Sequence, residues 1–206
     1  MSQTGLFGVI AGLEDGKLSA VSLVDILIPP REAWDQGDIC DQIYCAALDA
    51  LRPAVLVTPA CDLEHDKVDL WTFVTLFPDT EVARQLAKPE IAGWASPYSV
   101  PLSKKQLGTL GKIMHSLLLQ KFPRYHWIPA EIGDYPAQVA DFTCVTSLPA
   151  REVRAKAKRL ASLKSSWREQ LPTRYAAYLG RVGTEDFLED GLLVHVERLV
   201  ESIVKQ

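Results

Sequence analysis

The chain has 206 residues, enough to bury a core as one elaborated domain and a tight fit for two, and its 48% apolar and 23% charged residues exclude wholesale disorder. Its net charge of −4 argues against a globally electrostatic nucleic-acid binder, yet residues 151–168 carry seven basic side chains against Glu152, a net of +6 that leaves −10 elsewhere. The opening Met1-Ser2-Gln3-Thr4 lacks a basic, apolar leader, and the longest apolar stretch, 18–28, is broken by Ser19, Ser22 and Asp25, so a cytoplasmic protein with no membrane segment is expected.

Residues 5–13 are apolar and glycine-rich ahead of the turn signal Glu14-Asp15-Gly16, which predicts a short strand and a turn. Residues 18–28 space their apolar side chains about as well for a helix as for a strand; the reading leans to a helix, and Pro29-Pro30 ends either. Gly37-Asp38-Ile39-Cys40 looks like a strand start. Residues 53–58, a run of valine and leucine between two prolines, read as a buried strand, and 71–77 as an antiparallel return after a charged turn. Residues 81–88 predict a short helix ended by Pro89, and Ser103 an N-cap for a helix through Gln120 whose glycines, Gly108 and Gly111, weaken it.

Residues 125–128 and 138–148 are further strands, each closed by a proline. Beyond them the pattern is helical. Residues 153–163 predict a basic amphipathic helix, Ser165 or Ser166 caps a helix towards Leu179 that Pro172 should kink or delay, Gly180 and Gly183 are stops, and 184–204 carry a two-sided apolar stripe.

Three of these segments, in order, resemble the PemK/MazF-type endoribonuclease toxins: Gly37-Asp38-Ile39, Arg52-Pro53-Ala54-Val55-Leu56-Val57-Thr58, and Ala140-Asp141-Phe142 with Val145 and Ser147-Leu148. They cover about a fifth of the chain, and their shared order is what raises the prior. The resemblance implies an α+β fold, a small SH3-like antiparallel β-barrel with a mixed insertion and a C-terminal helical annex. The expected organisation is an N-terminal strand or helix extension over 1–36, a barrel over 37–148 with an insertion at about 79–136, and a helical region over 149–206. In that family an arginine before the proline and a threonine or serine ending the next strand carry RNA cleavage. Arg52 takes the first position, and Thr80, displaced by a residue or two, or Thr75 the second. The family's glycine and Glu-Gln loop ahead of the arginine is replaced here by Ala47-Leu48-Asp49-Ala50-Leu51.

RNA transesterification needs a base for the 2′-hydroxyl proton and a cation for charge developing on the phosphate. Arg52 suits the second task, with Asp62 or a threonine for the first; the plainer reading of Arg52 is a surface residue at a strand edge. Cys61, Asp62 and His65 gather a thiol, a carboxylate and an imidazole within five residues. They allow a cysteine nucleophile activated by His65, or a metal held with Cys40 and Cys45, against a plain alternative in which Cys61 is buried, Asp62 forms the turn and His65 is exposed. Neither spacing matches a strong signature, so no cofactor or metal is expected.

Arg151, Arg154, Lys158, Arg159, Lys164 and Arg168, with Trp167, Tyr175 and Tyr178 near, offer a basic helix for RNA, DNA or an acidic partner protein, against a solvated helix face. His115, His126 and His195 read as satisfied core histidines, and Trp34, Trp71, Trp94, Trp127 and Trp167 as packing anchors. The expected function is a non-catalytic nucleic-acid- or protein-binding barrel module of a bacterial toxin–antitoxin or phage-defence type system. The alternative is a divergent, metal-independent endoribonuclease acting on single-stranded RNA.

Overall fold

The computed structural model describes residues 26–90, 103–128, 132, 135 and 137–180. Among them the strands are β1 (Leu27–Ile28), β2 (Asp38–Cys45), β3 (Ala50–Leu56), β4 (Leu70–Pro78), β5 (Tyr125–Ile128), β6 (Gln138–Pro149) and β7 (Lys158–Leu163). They form one antiparallel sheet in the order β1-β7-β2-β3-β4-β6-β5. The helices are α1 (Ala60–Glu64), α2 (Asp79–Ala87), α3 (Lys104–Leu118), α4 (Ala150–Lys156) and α5 (Ser165–Leu179).

Alternation along the strands divides the core in two, because successive side chains point to opposite faces. Ile39, Val55, Val74, Leu76, Ala140 and Phe142 share one face, and the same cluster holds Ile26 and Leu163 from one edge of the sheet and Ile128 from the other. A flat sheet would keep those edges apart, so the sheet curls into a half-barrel with this cluster on its concave side. The Tyr135 hydroxyl, donating to Asp41 at 2.9 Å, ties the segment after β5 to β2. Helix α5 lies over the concave face with Leu171 fully buried and Trp167, Tyr175 and Tyr178 packed beside it.

On the convex face Cys40, Ile43, Ala54, Leu56, Trp71 and Phe73 pack against Leu63 of α1 and Val153 of α4. Phe77, Tyr125 and Val139 pack against Val82 of α2 and Leu117 of α3. Each large apolar side chain so buried contributes roughly 1.5–3 kcal/mol.

The α+β class and the curled antiparallel sheet agree with expectation. So do the β3–β4 return, β5, β6, α2 and α3, whose Ser103 hydroxyl accepts from the Gln106 amide while the Gln106 side chain accepts from the Ser103 amide.

Three expectations need correction. Leu27–Ile28, at the end of the segment leaning to helix, is a strand, because β7 offers it an edge to pair with; the rest of that segment lies outside the described residues. Residues 153–163 are not one basic helix: α4 ends at Lys156 and residues 158–163 are strand β7, paired with β2 on one side and β1 on the other. Its Ala161, Ser162 and Leu163 are all buried, and pairing on both edges outweighs the local helical spacing. Ser165 is the first helical residue of α5, with Lys164 at the N-cap and no side-chain cap. Pro172 sits inside that helix without ending it. The terminal apolar stripe, 184–204, and the expected strand over 5–13 lie outside the described residues.

Candidate functional site

Arg52 stands in β3 opposite Ile43 of β2, on the convex face with Ala54 and Leu56. It is half-buried and makes no side-chain hydrogen bond or ion pair among the described residues. Ala54 pairs with Thr75 of β4, so Thr75 is the diagonal neighbour of Arg52 on the same face, about 7–8 Å away, within reach of a long side chain. Thr75 is 1% exposed, and its hydroxyl has no partner among the described residues. It faces the place where β6 inserts residues 141–144 between its pairs with Val74 and Leu76. Thr80 is exposed in the first turn of α2, beyond the same end of β4.

Asp62 lies elsewhere. It belongs to α1, which follows the opposite end of β3, and the extended run from Arg52 to Thr58 alone spans about 20 Å. The structure therefore brings Arg52 and Thr80 to one end of the sheet, sets Thr75 beside Arg52, and leaves Asp62 at the other end.

Cys61, Asp62 and His65 do share one element, but α1 is a helix of five residues rather than a turn. The Cys61 thiol is exposed, not buried, and reaches Asp62 at 3.7 Å; His65 is exposed at the helix's C-terminal cap. Cys40 and Cys45, the other members of the metal reading, are buried in β2. Burial and the Asp38 carboxylate push the Cys40 thiol up to about 12, so it stays a neutral, buried thiol at pH 7. Among the described residues no three of His, Cys, Asp and Glu are grouped as a metal ion would require.

The basic residues of 151–168 are distributed over α4, β7 and α5, and at least three of the six candidates are committed to other groups. Arg154 pairs with Asp66 and lies over the Trp71 ring at 4.8 Å. Arg159 donates to the backbone carbonyls of Glu32 and Ala33, lies over Trp34 at 4.7 Å, and meets Asp38 at 3.4 Å. Arg168 meets Asp35 at 2.5 Å. Arg151 and Lys158 are exposed, and Lys164 is half-buried at the start of α5.

Sequence reading missed three groups. The first is Asp38, fully buried, which accepts from the Ser162 hydroxyl at 2.5 Å and from the Asp35 amide at 3.0 Å. Burial pushes its carboxyl up, against the pull of Ser162, the Asp35 amide and Arg159. The second is Arg124, which grips Asp141 through two hydrogen bonds of 2.7 and 2.6 Å, while the Thr143 amide and hydroxyl donate to the same carboxylate. Burial pushes Asp141 up, but these donors outweigh it and hold the carboxyl below its ordinary value. The third is His126, buried as expected but not satisfied, since neither ring nitrogen has a partner among the described residues. Gly37-Asp38 and Asp141 lie in the segments that carry the resemblance, and that is their only signal in the sequence. His115, read as a core residue, is exposed on α3.

No protein-family model and no curated protein matches the chain. Among solved structures it is similar to MazF (Form-I) from Deinococcus radiodurans, at 14% identity and a TM-score of 0.39 over 73% of this chain and 99% of that one. It is also similar to MazE-MazF (Form-II) from the same organism, at 15% identity and a TM-score of 0.37 over 73% of this chain and 98% of that one. A likeness at this level leaves the chemistry to be argued from the residues themselves.

Proposed function

We propose that the chain is a non-catalytic binding barrel that holds a partner protein, within a bacterial toxin–antitoxin or phage-defence type system. One observation carries this reading: among the described residues Asp62 is a strand's length from Arg52 and the Thr75 hydroxyl is shut away from solvent, which leaves Arg52 with Thr80 at its end of the sheet and no general base beside it. Keeping a fold demands an apolar pattern, whereas keeping chemistry demands particular groups at one place. A protein is favoured over nucleic acid because Arg154, Arg159 and Arg168 are already matched by carboxylates, which leaves few cations to release phosphate counterions. The system itself is inferred from the resemblance of the β2, β3 and β6 segments.

The test uses the purified chain and single-stranded RNA. We expect no cleavage and no binding at about 50 mM salt, the condition that most favours phosphate contacts. RNA cleavage by the natural chain that disappears in Arg52→Ala overturns the reading in favour of an endoribonuclease. Binding without cleavage, weakening with salt, replaces the protein partner with nucleic acid.

The endoribonuclease alternative has its own support in Arg52, a half-buried cation without a counter-ion among the described residues, diagonal to an unpartnered threonine hydroxyl. In that version the RNA 2′-oxygen attacks phosphorus, the bond to the 5′-oxygen breaks, and Arg52 stabilises charge on the non-bridging oxygens. The 2′-hydroxyl proton still requires an acceptor beside Arg52, a place Asp62 does not occupy.

A further inference from the structure

We propose that helix α5 is an acid-released strap, held on the concave face of the sheet through a buried histidine, His126, that packs there only while uncharged. His126 lies in β5 opposite Ala140 of β6, is fully buried, and meets the Trp167 ring of α5 edge-on at 6.0 Å. Neither ring nitrogen has a partner among the described residues. The ring is therefore used as an aromatic wedge between sheet and helix.

The groups around it leave no place for a proton. From α5 it faces the indole of Trp167 and the charge of Arg174, whose Nη2 donates to the carbonyls of Gln120, Phe122 and Tyr125 at 3.0, 3.3 and 2.9 Å. From β6 the residue in register is Ala140; the β6 carboxylate, Asp141, is in register with Tyr125 and held by Arg124. The Tyr175 phenol on α5 is pushed up by burial and stays neutral. A proton on His126 would thus add a second cation near Arg174, with no acceptor at hand among the described residues.

Helix α5 is the element that yields. Strand β5 is bonded to β6 through four residue pairs of backbone ladder, whereas α5 is held over the sheet by side chains alone: Trp167, Leu171, Tyr175 and Tyr178, the Arg168–Asp35 ion pair, and the Arg174 bonds to the carbonyls of Gln120, Phe122 and Tyr125. Burial and Arg174 push His126 down to about 3 while the helix is seated. An imidazole freed to water titrates near ~6.5. The sign follows: the seated form binds fewer protons, so its advantage is complete above about pH 6.5 and falls about tenfold per pH unit below it, until the seated ring itself titrates.

The test is an NMR titration of the full chain from pH 7.5 to 3.5, following the amides of α5, those of β3 and β4, and the His126 ring. We expect the α5 amides to leave their native positions before those of the sheet, and His126→Phe to move that step at least one pH unit lower. Asp35 opposite Arg168 is a second acid-sensitive anchor, and His126→Phe leaves it intact, so the difference between the two proteins isolates the histidine. Loss of α5 and sheet in one step, or the same midpoint in both proteins, overturns the proposal. Should His126→Phe not fold, the natural chain decides: a ring that charges only as α5 leaves supports the strap, and one that charges with α5 seated overturns it.

Discussion

Arg159 of β7 and Arg168 of α5, set against Arg52 of β3, are alike in chemistry and opposite in use. The first two close a corner in which the 31–38 segment is tied to β7 and α5: Arg159 meets Asp38, Arg168 meets Asp35, and Asp38 also takes the Ser162 hydroxyl. Arg52 has no counter-ion among the described residues and sits half-buried on the convex face. A cation's place in a charge run says little about its availability; the partner it faces decides that. Residues 151–168 looked like an interaction surface by composition, and half of its named cations hold the fold together.

The largest way to break that contrast is at Asp38. Asp38→Ala leaves Ser162, the Asp35 amide and Arg159 without their acceptor in a buried place, which should cost about 3 kcal/mol in urea unfolding. Asp38→Asn keeps an acceptor oxygen. Because burial already pushes the Asp38 carboxyl up, the charge itself is not favoured there, and the amide should lose less than half as much. Equal losses for the two variants would show that the charge, rather than the hydrogen-bond acceptor, holds the corner.

A smaller loss, about 1–2 kcal/mol, is expected for Gly37→Ala. Gly37 has φ +85, and a Cβ there would come within 3.1 Å of Arg168 Cγ and 3.2 Å of Leu163 Cβ. Both the left-handed backbone and the close approach of α5 call for glycine. A melting temperature unchanged from the natural chain would mean that the corner adapts freely.

These two residues also mark how far the sequence could be read. Val55, Val74, Leu76 and their neighbours announce buried strands because apolar alternation is a local signal, and Ser103 with Gln106 announces a helix start for the same reason. Strand β7 did not announce itself. Its Lys158 and Arg159 resemble a helix surface until β2 and β1 are placed on either side, which no local pattern encodes. The candidate site was less legible still: Arg52 and Thr75 are 23 positions apart, and only the β3–β4 register makes them diagonal neighbours. The Asp38–Ser162 bond joins positions 124 apart, so the corner depends wholly on the folded topology.

Asp141 tests the same contrast through pH, with an effect of about 1 kcal/mol, kept small because Arg124 is 45% exposed and solvent screens the pair. Its folded value lies below the ordinary carboxylate value near ~4, so its contribution is present above that pH and is lost as pH falls through the folded value. Arg124→Met should lower stability at pH 7 and flatten the acid limb of the stability curve below about pH 4. Parallel acid limbs for the natural chain and the variant would place the acid sensitivity elsewhere.

The smallest effect on stability is expected at Arg52. With no ion pair to lose among the described residues, Arg52→Ala should shift unfolding by less than about 0.5 kcal/mol. That near-neutrality makes it the cleanest functional probe in the molecule, since any change in RNA cleavage or partner binding then reports on the side chain rather than on folding. Arg52→Lys sharpens it further, because lysine keeps the charge but not the planar fork that engages a phosphate or carboxylate through two bonds. If Arg52 anchors a partner's carboxylate, both variants should weaken binding, with Arg52→Ala the more damaging, and the wild-type interaction should weaken as salt rises. If Arg52 only occupies a strand edge, binding will be the same for all three proteins. The corner arginines and the free one would then differ in packing alone.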